Sequence, residues 1–231
     1  MRARQEATFI QEENGWLSIL GPLKRNGLMM NWPSLVTMCD FVATFAFALV
    51  GSRVAAGRKM DVGGIALVAA VSSLAGGTFR NLFLLQTPPW VQNTWLILPI
   101  LFAVIFTVIT KRIAPAGRIL LTLDTFGLAV ATVSSTEFAL RLHTSSVTAI
   151  LLGLIGGVTG GLLRDLFAQL PPVLLHRETI GSSCLAGSVV MVGLAKLEVN
   201  NLVVVLVGGL VVILIRELSI FFKWNLPKLT S

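Results

Sequence analysis

One stretch of this chain occurs twice, and it constrains the fold more than any other feature. Ala75-Gly76-Gly77-Thr78-Phe79-Arg80-Asn81-Leu82-Phe83 returns 84 residues later as Thr159-Gly160-Gly161-Leu162-Leu163-Arg164-Asp165-Leu166-Phe167. Each copy places a glycine pair in an apolar run, with an arginine three residues after the second glycine. The same offset carries Asp40 onto Asp124, Leu67 onto Leu151 and Pro88 onto Pro172 with no gap. A register shared over such a span marks an internal repeat. If each copy holds an odd number of membrane spans, the copies are inverted relative to one another, as in many transport proteins.

Composition places these repeats in a bilayer. Charged residues make up 13% of the 231 and hydrophobic residues 55%, where a soluble domain carries about 25% charged residues. The mean hydropathy is +0.84. The net charge of +7 would suit nucleic acid if the basic residues clustered on one solvated face. They stand instead in short groups between apolar runs, as topology signals do. No nucleic-acid partner is expected. Trp32, Trp90, Trp95 and Trp224 fall at run ends, where an interfacial belt wants them. Cys39 and Cys184 lie in apolar runs and read as small buried hydrophobes, not as a disulfide.

Seven apolar segments approach the roughly 20 residues that span a bilayer core: 34–52, 61–86, 94–111, 118–139, 145–169, 179–196 and 200–221. In lipid the backbone must satisfy itself, so these segments are helices. The expected fold is an all-α membrane protein. Residues 1–33 form a flexible tail, with Met29 or Met30 as alternative starts. The first three-helix repeat covers 34–117 and the second, inverted, covers 118–199. Residues 200–231 hold a seventh helix and a C-terminal tail.

Lysine and arginine fix the expected orientation. Arg53, Arg58 and Lys59 follow segment one, Lys111, Arg112 and Arg118 follow segment three, and Arg177 follows segment five. Arg216, Lys223 and Lys228 close the chain on that same side. The opposite loops hold only Arg141 and Lys196, although the N-terminal tail adds Arg2, Arg4, Lys24 and Arg25. The N-terminus is expected outside and the C-terminus in the cytoplasm.

Two readings apply to the glycine pairs. As packing residues they let helices approach closely, and Gly156/Gly160 and Gly157/Gly161 have the G-x-x-x-G spacing. As helix breakers they free carbonyls to line a watery path and coordinate a cation. Arg80 and Arg164 each lie near a segment end and either snorkel to the interface or face the interior with a partner. Recurrence at one position in both copies favours the interior, because a charge within a span costs at least ~2.5–3.5 kcal/mol. Asp40 and Asp124 lie at matching depth and are the expected partners, of Arg80 and Arg164 respectively. Asp165 follows Arg164 directly; adjacent helical residues do not face each other, so it is expected to point elsewhere. Pro88-Pro89-Trp90 and Pro171-Pro172 read as helix stops, and His143 and His176 as surface residues. No metal-ligand cluster, catalytic triad or phosphate-binding glycine loop is present in the sequence pattern. An enzyme is not expected, nor a cofactor beyond a permeant monovalent cation.

The two glycine-arginine motifs, the aspartate early in segments one and four, and Pro88-Pro89-Trp90 after the first motif together resemble one family. It is the bacterial branch of the trimeric intracellular cation (TRIC) channels, also known as glycine-transporter-domain proteins. The likeness covers about residues 35–220. It implies two inverted three-helix repeats plus a seventh helix, a homotrimer, and a pore in each protomer lined by the glycine-broken second and fifth helices. Carried onto this chain, it marks Gly76, Gly77, Arg80, Gly160, Gly161 and Arg164 as pore residues. The family pattern has three glycines and Arg-Asp, whereas here Ala75 stands for the first glycine of copy one, Asn81 for its aspartate, and Thr159 precedes Gly160. The implied function is a channel for potassium or sodium in the bacterial inner membrane. The alternative is a secondary transporter of a small amino acid such as glycine, whose carboxylate an intramembrane arginine would bind.

Overall fold

The computed structural model describes residues 35–110, 117–172 and 179–222. The expected N-terminal tail, His176 and the loop or tail residues Lys111, Arg112, Arg177, Lys223 and Lys228 lie outside these, as do Trp32 and Trp224. Among the described residues all regular structure is helical. The long helices are α1 (Leu35–Gly57), α2 (Val62–Phe83), α4 (Arg118–Arg141), α5 (Ser146–Phe167), α6 (Thr179–Lys196) and α7 (Asn201–Phe222), with the shorter α3 (Ile97–Thr110) between α2 and α4. A helical turn, Pro89–Gln92, and a 3-10 turn, Thr94–Leu96, precede α3.

Six of these helices are long and apolar enough to cross a membrane. The third expected span is shorter: α3 has 14 residues, about 21 Å at 1.5 Å per residue, and the 3-10 turn adds about 6 Å. Helix α1 runs on past the expected residue 52 and takes in Arg53, whose Nη2 donates to Thr110 Oγ1 at 3.0 Å. Its guanidinium also stands 5.3 Å from the Phe106 ring centroid. A charged end reached by a long stem explains why this arginine sits inside a helix rather than in a loop.

The repeat governs how helices begin and end. Asp61 caps α2 by accepting from Gly64 N–H at 2.7 Å, and Ser145, its equivalent at the 84-residue offset, caps α5 by accepting from Thr148 N–H at 3.1 Å. After α1, α2, α4 and α5 the chain turns at Lys59, Leu85, His143 and Gln169, all with φ between 53° and 58°. These form two pairs at the same offset. Each turn closes with paired C-terminal bonds, as in Gln86 N–H to Asn81 C=O at 2.8 Å and Leu170 N–H to Asp165 C=O at 2.8 Å. A left-handed non-glycine residue costs about 1–2 kcal/mol, and the closing bonds offset it.

Side chains sort as lipid demands. Leu101, Phe102 and Ile105 on α3 and Leu206, Leu210 and Leu214 on α7 are exposed, while Ser72, Thr136, Ser183 and Ser188 are fully buried. A hydrocarbon solvent accepts the apolar face without cost and leaves the hydroxyls to bond inside the bundle. Thr136 donates to Ser188 at 3.0 Å and Ser52 pairs with Thr107 at 2.8 Å, tying α4 to α6 and α1 to α3. Both cysteines are free, Cys184 fully buried and Cys39 half-buried.

Candidate functional site

Two arginine–carboxylate clusters are built at opposite ends of α1 and α4. Asp40 stands six residues into α1 and Arg80 three residues before the end of α2. Arg80 Nη1 and Nη2 donate to the two oxygens of Asp40 at 3.0 and 3.1 Å, a bidentate pair. Ser134, late in α4, accepts from Arg80 Nη1 at 2.8 Å and donates to Asp40 at 2.5 Å. Arg80 Nε donates to Asn81 Oδ1 at 2.8 Å, and the guanidinium lies 4.5 Å from the Phe138 ring centroid. The residue is 1% exposed. With five satisfied contacts the arginine faces the interior and does not snorkel.

The second cluster repeats this pairing with different support. Arg164 Nη1 donates to Asp124 in a short bond, and its Nε donates to Asp165 at 2.9 Å. The expectation that Asp165 points elsewhere is therefore wrong. Adjacent side chains leave a helix at different angles, but an arginine laid along the surface swings its Nε back to the neighbouring carboxylate, as Arg80 does with Asn81. Where the first cluster has Ser134, the repeat places Val50. Arg216 also borders this cluster; it was expected among the loop residues, yet it is 1% exposed in α7 and donates to Thr179 Oγ1 at 3.3 Å.

Each cluster opens on a cavity. The first cavity holds about 30 Å³ and is bordered by Asp40, Thr44, Phe47, Ser73, Arg80, Trp90 and Ser135, which leaves room for about one water. The second holds about 330 Å³ and is bordered by Val50, Val54, Arg118, Asp124, Arg164, Asp165 and Arg216. One stripe of α1 serves both: Asp40, Ala43, Thr44 and Phe47 face the first cavity, and Val50 and Val54 face the second. The spacing of three and four residues is that of a single helix face. On α4 the order reverses, with Leu120, Leu121 and Asp124 at the second cavity and Ala131 and Ser135 at the first. Phe47, 3% exposed, is the last α1 residue on the first cavity, three residues before Val50 at the second.

The glycine pairs do not break their helices. Helices α2 and α5 run continuously through Gly76-Gly77 and Gly160-Gly161, so the expected break is corrected in favour of close packing. A Cβ on Gly76 would fall on the Gly156 carbonyl oxygen, and one on Gly160 would meet the Ser72 carbonyl oxygen at 2.5 Å. Under the 84-residue offset Gly76 maps to Gly160 and Ser72 to Gly156, so the two contacts are one contact made twice. The second glycine of each pair has another setting. A Cβ on Gly77 would meet Pro89 Cγ at 3.1 Å, while at Gly161 the nearest atom among the described residues is Arg164 Nη2 at 3.9 Å. Helix propensity disfavours glycine by only about 1 kcal/mol, and the backbone bonds a break would expose in lipid are worth several kcal/mol each.

A family model described as "Glycine transporter" matches the chain twice, over residues 37–112 and 121–196. The second match begins and ends 84 residues after the first. The chain belongs to the glycine-transporter family. Among similar proteins, a UPF0126 membrane protein of Vibrio cholerae is 31% identical over 198 residues, covering 84% of this chain and 82% of the relative. The UPF0126 inner membrane protein YadS of Escherichia coli K12 is 29% identical and covers 84% and 95%. Among solved structures, the TRIC trimeric intracellular cation channel orthologue from Rhodobacter sphaeroides superimposes with a TM-score of 0.78 at 30% identity, covering 83% of this chain and all of that one. That protein is a channel, not an enzyme. The resemblance drawn from the motifs stands.

Several residues that this glycine-transporter family member places at the clusters carry no mark in the sequence. Ser134 and Phe138 are ordinary in an apolar helix, and only the fold brings them to Arg80. Glu137 did carry a mark, as a second acid after Asp124 within the apolar segment 118–139. It is 3% exposed, accepting from Arg141 Nε at 2.6 Å and from Asn201 Nδ2 at 2.7 Å, which fastens α7 to α4.

Proposed function

We propose that this protein is a homotrimeric channel of the bacterial inner membrane that conducts monovalent cations, potassium foremost, through a pathway within each protomer. The observation that carries the proposal is the single face of α1 that lines both cavities, with an arginine–aspartate cluster at each end. A cation entering from the wide cavity meets the carboxylates of Asp124 and Asp165, then the barrier at Phe47, then Asp40 with the hydroxyls of Thr44, Ser73 and Ser135. Because α2 and α5 are continuous, side-chain oxygens rather than freed helix carbonyls form this route. The paired arginines stay neutralised by their carboxylates, so they shape the path without repelling the ion. The likeness to the Rhodobacter channel over 83% of the chain supports the same reading.

We further infer that residues 34–117 and 118–199 are inverted repeats, with the seventh helix following. The reciprocal contacts Gly76–Gly156 and Gly160–Ser72, and the reversed order of α1 and α4 along the two cavities, support it. The N-terminus is placed outside and the C-terminus in the cytoplasm. Burial of Arg216 removes it from the loop count, yet the same side remains the more basic. The competing reading is a secondary transporter of glycine, favoured by the arginine-lined cavity of about 330 Å³. Purified protein in liposomes, assayed for potassium flux and for labelled-glycine uptake, separates them. Flux without uptake is expected; saturable uptake without flux would replace the channel by the transporter.

A further inference from the structure

We propose that Asn81 is a positioning residue that latches the Pro88–Trp90 turn over the smaller cavity, and that releasing the latch opens this mouth. The proposal rests on the pathway described above for its link to conduction, but the latch itself is tested separately. Asn81 is 2% exposed and uses both ends of its amide. Its Oδ1 accepts from Arg80 Nε at 2.8 Å, and its Nδ2 donates to the Thr87 carbonyl at 2.5 Å. The orientation of the amide is fixed, since an arginine offers only protons and a carbonyl only lone pairs. Thr87 begins the turn that carries Pro89 and Trp90 onto the border of the cavity. Two further contacts seat this turn. Trp90 Nε1 donates to Thr78 Oγ1 at 3.1 Å, and Pro89 packs where a Cβ on Gly77 would lie 3.1 Å from its Cγ.

The other copy of the repeat serves as an internal comparison. There Asp165 stands at the position of Asn81. It gives Arg164 Nε the same acceptor, at 2.9 Å, but an ionised carboxylate has no proton for a carbonyl. Gly161, the equivalent of Gly77, has no described atom nearer its Cβ position than 3.9 Å. One group, NH₂ in place of O⁻, distinguishes a residue that can donate to the carbonyl of the turn from one that cannot.

Asn81→Asp is therefore the informative variant, because it keeps an acceptor for Arg80 and removes the donor to Thr87. Ser73→Cys, in a Cys39→Ala/Cys184→Ala background, puts a thiol on the cavity wall. The full-length protein in liposomes is labelled with N-ethylmaleimide, a neutral reagent that does not sense the added charge. Asn81→Asp should speed labelling about tenfold, the factor that one lost buried hydrogen bond gives an opening equilibrium. Thr78→Val and Trp90→Phe remove the second contact without adding charge and should act in the same direction. They also carry the test if Asn81→Asp does not fold. A thiol at Ser52, buried away from the turn, should keep its rate in every background. Unchanged labelling at Ser73→Cys in the folded variants would overturn the latch, as would an equal rise at Ser52→Cys, which would report general loosening. Faster labelling accompanied by higher potassium flux joins the latch to the pathway. Faster labelling with no change in flux upholds the latch and rejects the pathway.

Discussion

Neutralising Asp40 is the sharpest perturbation of the first cluster. Arg80 is 1% exposed and gives both terminal nitrogens to this carboxylate at 3.0 and 3.1 Å, so the exposed-pair regime of under about 1 kcal/mol does not apply. Breaking a buried pair by removing one partner costs about 3–5 kcal/mol. Ser134, Asn81 and Phe138 remain beside Arg80 in Asp40→Asn and hold the cost toward the lower end. Arg80→Gln leaves Asp40 with Ser134 alone and falls toward the upper end. Combining the two removes every bare charge, so the double variant should lose about as much as one single variant, a coupling of about 3 kcal/mol. Neutral hydrogen-bonded pairs in membranes couple by only about 0.6 kcal/mol on average, so the ion pair is distinguishable. The assay is reversible unfolding in mixed micelles with rising denaturing detergent, run on the wild type and the three variants. A coupling under about 0.5 kcal/mol would show that Asp40 and Arg80 act separately and would refute the argument from burial.

Three other outcomes follow from the geometry. Asp124→Asn should cost less than Asp40→Asn, because Arg164 keeps Asp165 at 2.9 Å; equal losses, measured in the same unfolding assay, would deny Asp165 that role. Gly76→Ala and Gly160→Ala should each destabilise by about 1–3 kcal/mol through overpacking, whereas Gly161→Ala, whose Cβ has no described atom nearer than 3.9 Å, should be neutral or slightly stabilising. A Gly161→Ala loss as large as that of Gly76→Ala would show that the glycines act by something other than helix approach. Single cysteines near Val91 and near Lys111 should label from opposite sides of the membrane, and labelling of both from outside would break the span order.

The 84-residue register was legible because it needs only counting, and it governs caps, turns and the two family matches alike. The Asp40–Arg80 and Asp124–Arg164 pairs were legible because a charge in an apolar run demands a partner, and equal offsets pointed to the same one twice. The contacts of Ser134 and Phe138 were not, since serine and phenylalanine are unremarkable in a membrane helix and only tertiary packing selects them. The glycine pairs misled in one respect. Local propensity suggested a break, but the Gly156 and Ser72 carbonyls, supplied by a helix 80 or more residues away in sequence, turn the same absence of a side chain into a close crossing. Arg216 lies near a segment end, where sequence does not separate a buried arginine from a loop arginine. Its burial and its contact with Thr179 do. Asp165 failed for a geometric reason: side-chain facing rules speak of where Cβ points, and an arginine is long enough to evade them.

Cation conduction within the protomer is tested most directly by the reversal potential of purified protein in a planar bilayer under a potassium chloride gradient. The account predicts steady current that reverses close to the potassium equilibrium potential, and a conductance that falls when Asp124 and Asp165 are both changed to Asn. Reversal at the chloride potential, or a silent bilayer beside vesicles of the same protein that accumulate glycine saturably, would contradict it.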